Sequence, residues 1–557
     1  MKISKFKNKQ LLFWLTAAII VLSGTYLRLH AINFGLPHSF HADEPEIVEL
    51  AVKYTYQIRN IMSKKEFYRL IPISFVYGMF PTYILTLATM SFSKGANLLN
   101  FAFEKQAIYV FLRSLTALTS LSIIPIALLI YKNLFNKKVS KLEALGLIFL
   151  TSLNWKLIVH SHYVNMDIFL TLLINGVFLT YILYFRDPKK SLWVILSGIL
   201  FGFAVGTKIT AVLSLPWLIY IYAKQKDWRS LFAFLFLSYI GFAISNPFSL
   251  IFAHDFAYRI FEMQAKEAGM VFDSVNLDTL KYLKSLIFIS TPLVFLISLY
   301  GNLVTFVRSK RKEKKDIALH IFLTGNILTY LLFFSLNARE VGRWLLPILP
   351  LVLVYAAKGI VEVGKRHLFP HVSPARSGLQ KCVQKNLFPL LSTITILAGG
   401  TLYLKNPLLL LKQFNRHTPK SESYEWARDN LPESANKLAI TEEGLDPLNK
   451  LQGIRVIRPI VYTTENAQFD FPPDPIGYDY VILSSKPMNN YKREEVQEKY
   501  PFYSERWEEF ETTVKNPEKF QLIKEFTLPK PNLVNLSDVH IYENKCLTTK
   551  KNYCPKL

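Results

Sequence analysis

Cysteine is scarce in this chain: its 557 residues include only three. Three cysteines are too few for a disulfide framework and too few for a metal site built from thiolates. Cys546 and Cys554 lie close together near the C-terminus. They could form a disulfide if that segment is exported, or they could be two free thiols.

Acidic residues are scarce in the first 404 positions, which carry 43 Lys and Arg against 19 Asp and Glu. The segment from Lys405 onward holds 22 of each kind, so the whole net charge of +24 arises in the first part. A strongly basic protein invites a nucleic-acid interpretation. Here the basic residues alternate with long apolar stretches, so membrane topology explains them better and we expect no nucleic-acid partner.

Hydrophobic residues make up 51% of the chain and are grouped in stretches long enough to cross a bilayer as helices. Short basic loops between spans face the cytoplasm. Placing six such basic segments inside predicts eleven spans, the first of them a retained helix without a signal-peptide cleavage site. The predicted spans are 11–30, 107–131, 142–160, 167–185, 191–207, 209–223, 230–248, 284–306, 317–336, 344–363 and 386–404.

One apolar stretch, Ile71–Met90, does not fit this arrangement. If it crossed the membrane, every later basic loop would change sides. We therefore expect a large first external loop with helices lying on the outer membrane surface. The sequence after residue 404 is less hydrophobic and contains short strand-like runs, which predicts a small α/β domain over 405–557 outside the membrane, following a membrane domain over 1–404.

The first candidate site is the acidic motif His41-Ala-Asp43-Glu44-Pro45-Glu46, directly after the first span. Acidic residues at the start of a helix stabilise it by capping and by favourable interaction with the helix dipole, which is the structural interpretation. The functional interpretation makes Asp43 a carboxylate base at the membrane surface, where a lipid-borne substrate presents its head group.

The second candidate is the polar turn His160-Ser-His162-Tyr-Val-Asn-Met-Asp167 between two apolar helices. Asp167 precedes a new apolar stretch, so helix capping is again an alternative to catalysis. His160 and His162 could bind a divalent metal together with the two aspartates, although their spacing specifies no metal.

Cations form the third candidate group. The topology predicts Arg113, Lys208, Arg339 and Arg343 at the external ends of spans. Each could simply anchor a helix at the lipid interface. Four cations on the same side as the carboxylates favour a phosphate-binding site, because a leaving phosphate needs positive charge beside it.

The order of these motifs resembles that of the dolichyl-phosphate-mannose–protein mannosyltransferases. It is also similar to that of bacterial enzymes that transfer aminoarabinose or other sugars from undecaprenyl phosphate. The resemblance covers most of the chain. The motifs that carry it are Asp43-Glu44, Arg113-Ser-Leu-Thr-Ala-Leu, His160 to Asp167, Gly206-Thr-Lys208, Ser245-Asn-Pro247, Arg343-Trp-Leu-Leu-Pro-Ile-Leu-Pro and Tyr424-Glu-Trp-Ala-Arg-Asp-Asn-Leu-Pro.

The resemblance implies a GT-C fold, an all-α polytopic membrane protein with a large first external loop, here followed by the α/β domain. It implies that Asp43 is the catalytic base and that Lys208 and Arg343 face the donor phosphate. We place Glu44 and Asp167 with the catalytic group, and Arg113 and Arg339 with the phosphate-binding group.

Two further features are read against this family. His254 could match a metal-ligand position of some relatives. The chain departs from the family at Gly78-Met-Phe-Pro81-Thr-Tyr, where relatives often carry paired prolines.

The predicted function is transfer of a sugar from a polyprenyl-phosphate donor to a hydroxyl of a cell-surface lipid, polysaccharide or protein. The predicted mechanism is a single displacement, with a divalent metal as an optional cofactor. The enzyme would be a multi-pass plasma-membrane protein with its active site and its C-terminal domain outside the cytoplasm. The alternatives are a protein O-mannosyltransferase and, outside the class, a transporter or lipid flippase, for which we find neither repeated halves nor charges at the middle of a span.

Overall fold

The structure is a computed structural model that describes most of the chain. The described residues are 2–41, 43–64, 70–72, 78–93, 101–135, 139–263, 280–312, 314–336, 340–368, 399–441, 447–459, 471–492 and 494–545. They are mainly helical, and five strands form a sheet in the C-terminal part.

Helices of different lengths make up most of the described chain up to residue 414. They are α1 (Lys2–Leu29), α2 (Asp43–Lys64), α3 (Met79–Ser93), α4 (Phe101–Leu134), α5 (Lys141–Ser152), α6 (Trp155–Val159), α7 (Met166–Arg186), α8 (Ser191–Thr207), α9 (Leu215–Gln225), α10 (Trp228–Ser245), α11 (Pro247–Ile251), α12 (Ala253–Ala257), α13 (Lys281–Ser290), α14 (Pro292–Lys312), α15 (Lys314–Ser335), α16 (Leu349–Leu368) and α17 over residues 399–414. Short 3-10 helices at Ile209–Ser214 and Gly342–Ile348 precede α9 and α16.

In the described part of the chain, seven helices are long and apolar enough to cross a membrane. The protein is therefore a multi-pass membrane protein, as predicted. The seven segments are Gln10–Leu29, Gln106–Leu134, Met166–Arg186, Trp228–Ser245, Pro292–Ser309, Asp316–Ser335 and Gly342–Val363. Each overlaps one of the eleven predicted spans.

Two of the other predicted spans differ because polar residues interrupt them, whereas 191–207 forms α8 (Ser191–Thr207) without a break. The predicted span 142–160 is split into α5 and α6 at Asn154, whose side chain accepts hydrogen bonds from the amides of Lys156 and Leu157. The stretch 209–223 begins as a 3-10 helix, since Lys208 is in an extended conformation. Most of 386–404 lies outside the described residues.

The loop between α1 and α4, which is predicted to be external, contains α2 and α3, and these helices pack against each other and against α4. Ile47 and Ala51 of α2 and Leu85 of α3 are buried in their shared core. The 15 residues of α3 extend over about 22 Å at 1.5 Å per residue, which is shorter than the ~30 Å hydrocarbon layer. This length agrees with the expectation that Ile71–Met90 does not cross the membrane.

The C-terminal part is a small α/β domain, as predicted. Its sheet has the order β2-β1-β3-β5-β4, in which β1 is parallel to β2 and β3, and β5 is antiparallel to β3 and β4. The strands are β1 (Lys437–Ile440), β2 (Ile454–Ile457), β3 (Tyr480–Ser484), β4 (Phe520–Phe526) and β5 (Val539–Asn544). The helices are α18 (Pro419–Asn430), α19 (Ser485–Asn490), α20 (Glu494–Lys499) and α21 (Pro501–Lys515).

The loop between β4 and β5 fastens this domain to the membrane helices. Leu533 and Leu536 are buried in the same core cluster as the helices. Gln413 of α17 donates to the carbonyls of Pro529 at 2.6 Å and Pro531 at 2.8 Å, and it accepts from the Leu533 amide. The domain boundary predicted at residues 404 and 405 stays a prediction, and α17 runs across it.

A buried arginine joins three helices of the membrane domain. Arg28 of α1 donates to Ser120 Oγ at 3.0 Å and to the carbonyls of Gly24, Ser152 and Thr151. Two of these carbonyls belong to the last turn of α5, where a positive charge is favoured by the helix dipole. Arg28 therefore holds the C-terminal ends of α1 and α5 against the middle of α4.

We predict that Arg28→Met destabilises the protein, because it removes all of these donors and leaves buried carbonyls unpaired. The expected loss is at least about 1.5–3 kcal/mol, the contribution of one hydrogen bond from a charged donor. Thermal unfolding in detergent measures it, with Lys190→Met at an exposed position as the matched control. Equal unfolding temperatures for the two variants would contradict the prediction.

Candidate active site

Asp43 lies in the first turn of α2, just after the loop that follows α1. Its carboxylate forms an ion pair with Arg343, in which Asp43 Oδ2 and Arg343 Nη2 are 2.9 Å apart. The Asp43 side chain is 23% exposed, so it remains reachable from outside the protein. A residue from the loop between α1 and α4 and one from the start of the last candidate span therefore meet.

Asp167 lies in the first turn of α7, but it does not cap that helix. The cap is Asn165, whose Oδ1 accepts from the Ile168 amide at 3.1 Å. The Asp167 carboxylate instead accepts a hydrogen bond from Lys208 Nζ at 2.7 Å, and its other oxygen lies 3.5 Å from Arg343 Nε. Asp167 is only 6% exposed. The capping alternative for Asp167 is therefore wrong.

Arg343 is the centre of this cluster. It lies between Asp43 and Asp167, and its Nη1 donates to His41 Nε2 at 2.7 Å. The His41 ring stacks on Tyr163 with the ring centroids 4.1 Å apart. Burial, and then the charge of Arg343, lower the pKa of His41 to about 3, so this imidazole is neutral and accepts from the guanidinium.

Glu44 and Arg113 form a separate, fully buried ion pair. Arg113 Nε and Nη2 donate to the two Glu44 oxygens at 2.7 and 2.6 Å, and Arg113 Nη1 donates to the carbonyls of Ile32 and Phe34. Glu44 also accepts from the Val164 amide at 2.9 Å. Each charge is satisfied by its neighbours, which favours a positioning role for both residues over the catalytic and phosphate-binding roles that the sequence suggests.

The three histidines considered as metal ligands lie in different surroundings. His162 faces the carbonyls of Ile158 and His30 and stacks on Phe414, and burial lowers its pKa to about 4. His254 is 94% exposed, with Asp255 3.6 Å away. His160 is buried, and its Nδ1 contacts the Tyr163 hydroxyl.

These residues do not fit a divalent metal well. Among the residues that the structure describes, no group of three or more His, Cys, Asp or Glu side chains is arranged to hold a metal ion. Asp43 and Asp167 are both paired with Arg343, so a positive charge already lies where a metal bound by the two carboxylates would be. We derive no step through a metal.

Not every predicted site residue can be located. Arg339 lies outside the described residues. Of the other predicted residues, the structure brings Asp43, Asp167, Lys208 and Arg343 into one cluster. The buried Glu44–Arg113 pair is separate from this cluster.

The structure adds residues that the sequence analysis did not single out. His41 and Tyr163 contact the cluster directly or through each other. Lys156 of α6 lies close enough for its charge to interact with those of Arg343 and Asp167. A lysine inside an apolar predicted span is a signal of function that could have identified it. Lys486 of α19 lies close enough to His41 for its charge to contribute to the lowered pKa of the imidazole.

Gly78 lets the loop between α1 and α4 approach the backbone that precedes Lys208. A Cβ atom at Gly78 would lie 2.2 Å from the Thr207 carbonyl oxygen and 2.3 Å from that of Gly206. The Met79 amide donates to Asn246 Oδ1, and Asn246 Nδ2 donates to the Gly206 carbonyl. The start of the segment Gly78-Met-Phe-Pro81-Thr-Tyr thus packs directly beside the turn that contains Lys208.

Comparison with known proteins supports this architecture. A family model described as dolichyl-phosphate-mannose-protein mannosyltransferase matches residues 96–252, from α4 to α11. This stretch contains Arg113, Asp167 and Lys208. No curated protein sequence matches the chain.

Solved structures of membrane glycosyltransferases are similar to the chain over most of its length. The archaeal oligosaccharyltransferase AglB from Archaeoglobus fulgidus, in complex with an inhibitory peptide and a dolichol-phosphate, is 12% identical, with a TM-score of 0.50 over 87% of this chain and 71% of that one. ArnT from Cupriavidus metallidurans bound to undecaprenyl phosphate is 12% identical, with a TM-score of 0.48 over 96% and 98%. The mycobacterial arabinofuranosyltransferase AftD is 12% identical, with a TM-score of 0.42 over 96% and 40%. The chain has the GT-C fold, and the predicted resemblance is confirmed.

We predict that Gly78→Ala destabilises the protein by about 1–3 kcal/mol, the usual cost of inserting a methyl group into a filled space. The new Cβ would force α3 away from the carbonyls before Lys208. Gly400→Ala is the matched control, because a Cβ there meets no atom within 4 Å. Thermal unfolding of both variants in detergent tests the packing, and a Gly78→Ala protein as stable as the control would contradict it.

Proposed function

We propose that this protein is a membrane glycosyltransferase that moves a sugar from a polyprenyl phosphate to an acceptor hydroxyl outside the cytoplasm. The observation that carries the proposal is the bridging position of Arg343 between Asp43 and Asp167, with Lys208 on the second carboxylate. A carboxylate that can act as a base and cations that can bind a phosphate thus lie within one cluster. The GT-C fold and the match to a mannosyltransferase family model support the reaction class.

Asp43 is the better candidate for the base. It is more exposed than Asp167, whose carboxylate pairs with both Lys208 and Arg343. A base must reach the proton that it accepts. Asp167 instead orients the two cations, as a fixed negative charge between them.

The reaction is a single displacement. The acceptor oxygen attacks the anomeric carbon while the bond from that carbon to the phosphate oxygen breaks. The hydroxyl proton passes to Asp43, and the electron pair of the broken bond stays on the lipid phosphate. Lys208 and Arg343 lie where they can stabilise that phosphate as its negative charge increases.

The donor carrier is proposed to be a polyprenyl phosphate. The matching family model is described by a dolichyl-phosphate donor, and AglB was solved with a dolichol-phosphate. The same family model supports mannose as the sugar and a protein as the acceptor, so protein O-mannosyl transfer is the second candidate. A lipid or polysaccharide acceptor requires the same displacement chemistry.

We predict that Asp43→Asn lowers turnover about 100-fold or more, the scale of losing a general base. Asparagine can still accept a hydrogen bond from Arg343, so donor binding should persist. Transfer rates in nanodiscs, with donor binding measured separately, test this. The control is Asp187→Asn, whose carboxylate pairs with Lys190 at the far end of α7. A stable Asp43→Asn enzyme with nearly full activity would move the base to Asp167.

The orientation in the membrane is part of the proposal. In a cysteine-free background, Lys530→Cys in the C-terminal domain should react with an impermeant maleimide in intact cells. Lys190→Cys, between α7 and α8, should react only after permeabilisation. The native lysines are 64% and 63% exposed, so accessibility within the fold is matched. Labelling of Lys190→Cys in intact cells would reverse the orientation.

A further inference from the structure

The charges of the cluster cancel before a donor arrives. Lys208 and Arg343 are balanced by Asp167 and Asp43, and Arg113 is balanced by Glu44. His41 is neutral, because it accepts a hydrogen bond from Arg343. A sugar–phosphate–lipid diester brings a single negative charge, and a second develops on the phosphate as the sugar leaves. The paired residues alone provide no surplus positive charge for either.

Lys156 is a cation outside these pairs. It lies in α6, which packs against the Gly342–Ile348 turn that carries Arg343. Within the described part of the chain, its ammonium group has no carboxylate within ion-pair distance. Lys156 Nζ lies 5.3 Å from the centroid of the Trp155 ring. Its charge interacts with those of Arg343 and Asp167. Lys156 therefore supplies positive charge that these pairs do not.

His160 lies one helical turn from Lys156, since the His160 amide donates to the Lys156 carbonyl at 3.1 Å. Side chains four residues apart share one face of a helix. The Tyr163 hydroxyl contacts His160 Nδ1, and the positive charge of Arg343 acts on that hydroxyl. A positive charge beside the hydroxyl oxygen favours the arrangement in which Tyr163 donates its proton to His160 Nδ1. This leaves the proton of the neutral His160 ring on Nε2, a buried donor with no partner among the described residues.

We propose that Lys156, with the Nε2 proton of His160 beside it, binds the phosphate of the lipid carrier and stabilises the negative charge that develops as the sugar leaves. The carbon–oxygen bond breaks, its electron pair remains on the phosphate oxygen, and Lys156 keeps its proton throughout. The inference rests on the proposed function. It adds to Lys208 and Arg343 a cation that the aspartates do not neutralise.

The alternative is that Lys156 has no role in the site and that its ammonium group only reaches the lipid interface. That alternative does not account for the interaction with Arg343 and Asp167, nor for the unpartnered donor on His160. Interfacial lysines are directed away from such a cluster, because water and lipid phosphates solvate them at the surface.

The experiment compares binding of a polyprenyl phosphate with that of the polyprenol of equal chain length, which lacks only the phosphate. Wild-type protein in nanodiscs should prefer the phosphate. Lys156→Met should bind the phosphate lipid about 10-fold more weakly, the scale of one charge-assisted contact, and the alcohol unchanged. Lys156→Arg should recover part of the loss. Lys190→Met, at an exposed position away from the site, is the matched control.

Turnover provides a second readout. The phosphate gains charge in the transition state, so Lys156→Met should lower kcat in addition to donor affinity. Lys156→Gln, a polar uncharged variant, replaces Lys156→Met if the methionine protein does not fold. Unchanged preference for the phosphate in these variants overturns the inference, as does equal weakening of both lipids, which indicates a structural role.

Failure of the proposed function has a different signature. Wild-type protein would then bind the phosphate and the alcohol equally and would transfer no sugar. Lys486→Met tests a further source of positive charge, since Lys486 also acts electrostatically on His41. If the phosphate preference depends on Lys486 and not on Lys156, the assignment to Lys156 is wrong.

Discussion

The buried ion pair between Glu44 and Arg113 is the constraint on which the arrangement of the loops around the cluster depends. Two charges removed from water are tolerated only when nearly every donor and acceptor is satisfied. Here that requirement holds the loop after α1 through the Ile32 and Phe34 carbonyls, and the loop before α7 through the Val164 amide. Asp43 directly precedes Glu44 in the chain. The Glu44–Arg113 pair therefore also fixes the backbone position from which the Asp43 side chain extends.

Three interruptions of helical structure lie at or next to charged residues of the site. Asn154 separates α5 from α6, Lys208 separates α8 from α9, and a 3-10 turn carries Arg343 before α16. Irregular backbone at the depth of a membrane is tolerated where it is buried in protein or lines a polar cavity. Each break directs a charged side chain to the cluster instead of to lipid. Gln413 of α17 binds the loop between β4 and β5 of the C-terminal domain, and the same domain brings Lys486 near His41.

Much of the fold could be predicted from the sequence, because hydropathy and basic loops act locally. Apolar stretches must be helical in lipid, and lysine-rich loops resist transfer across the membrane. The α/β character of the C-terminal part followed from its short strand-like runs, which became β3 and β5. The broken spans were less predictable: a single Asn154 side chain can end α5 because it offers the backbone an alternative hydrogen-bond partner.

The sequence by itself determined which kinds of residue were available: carboxylates after the first span and before α7, and cations at later helix ends. It could not separate Asp43 and Asp167 from Glu44, or Lys208 and Arg343 from Arg113, since pairing between residues far apart in the chain has no local signal. Only the tertiary structure decided that Glu44 and Arg113 neutralise each other in a buried pair while Arg343 bridges Asp43 and Asp167. The physical reason is that burial and charge pairing depend on which helices pack together, and that packing is a property of the whole fold.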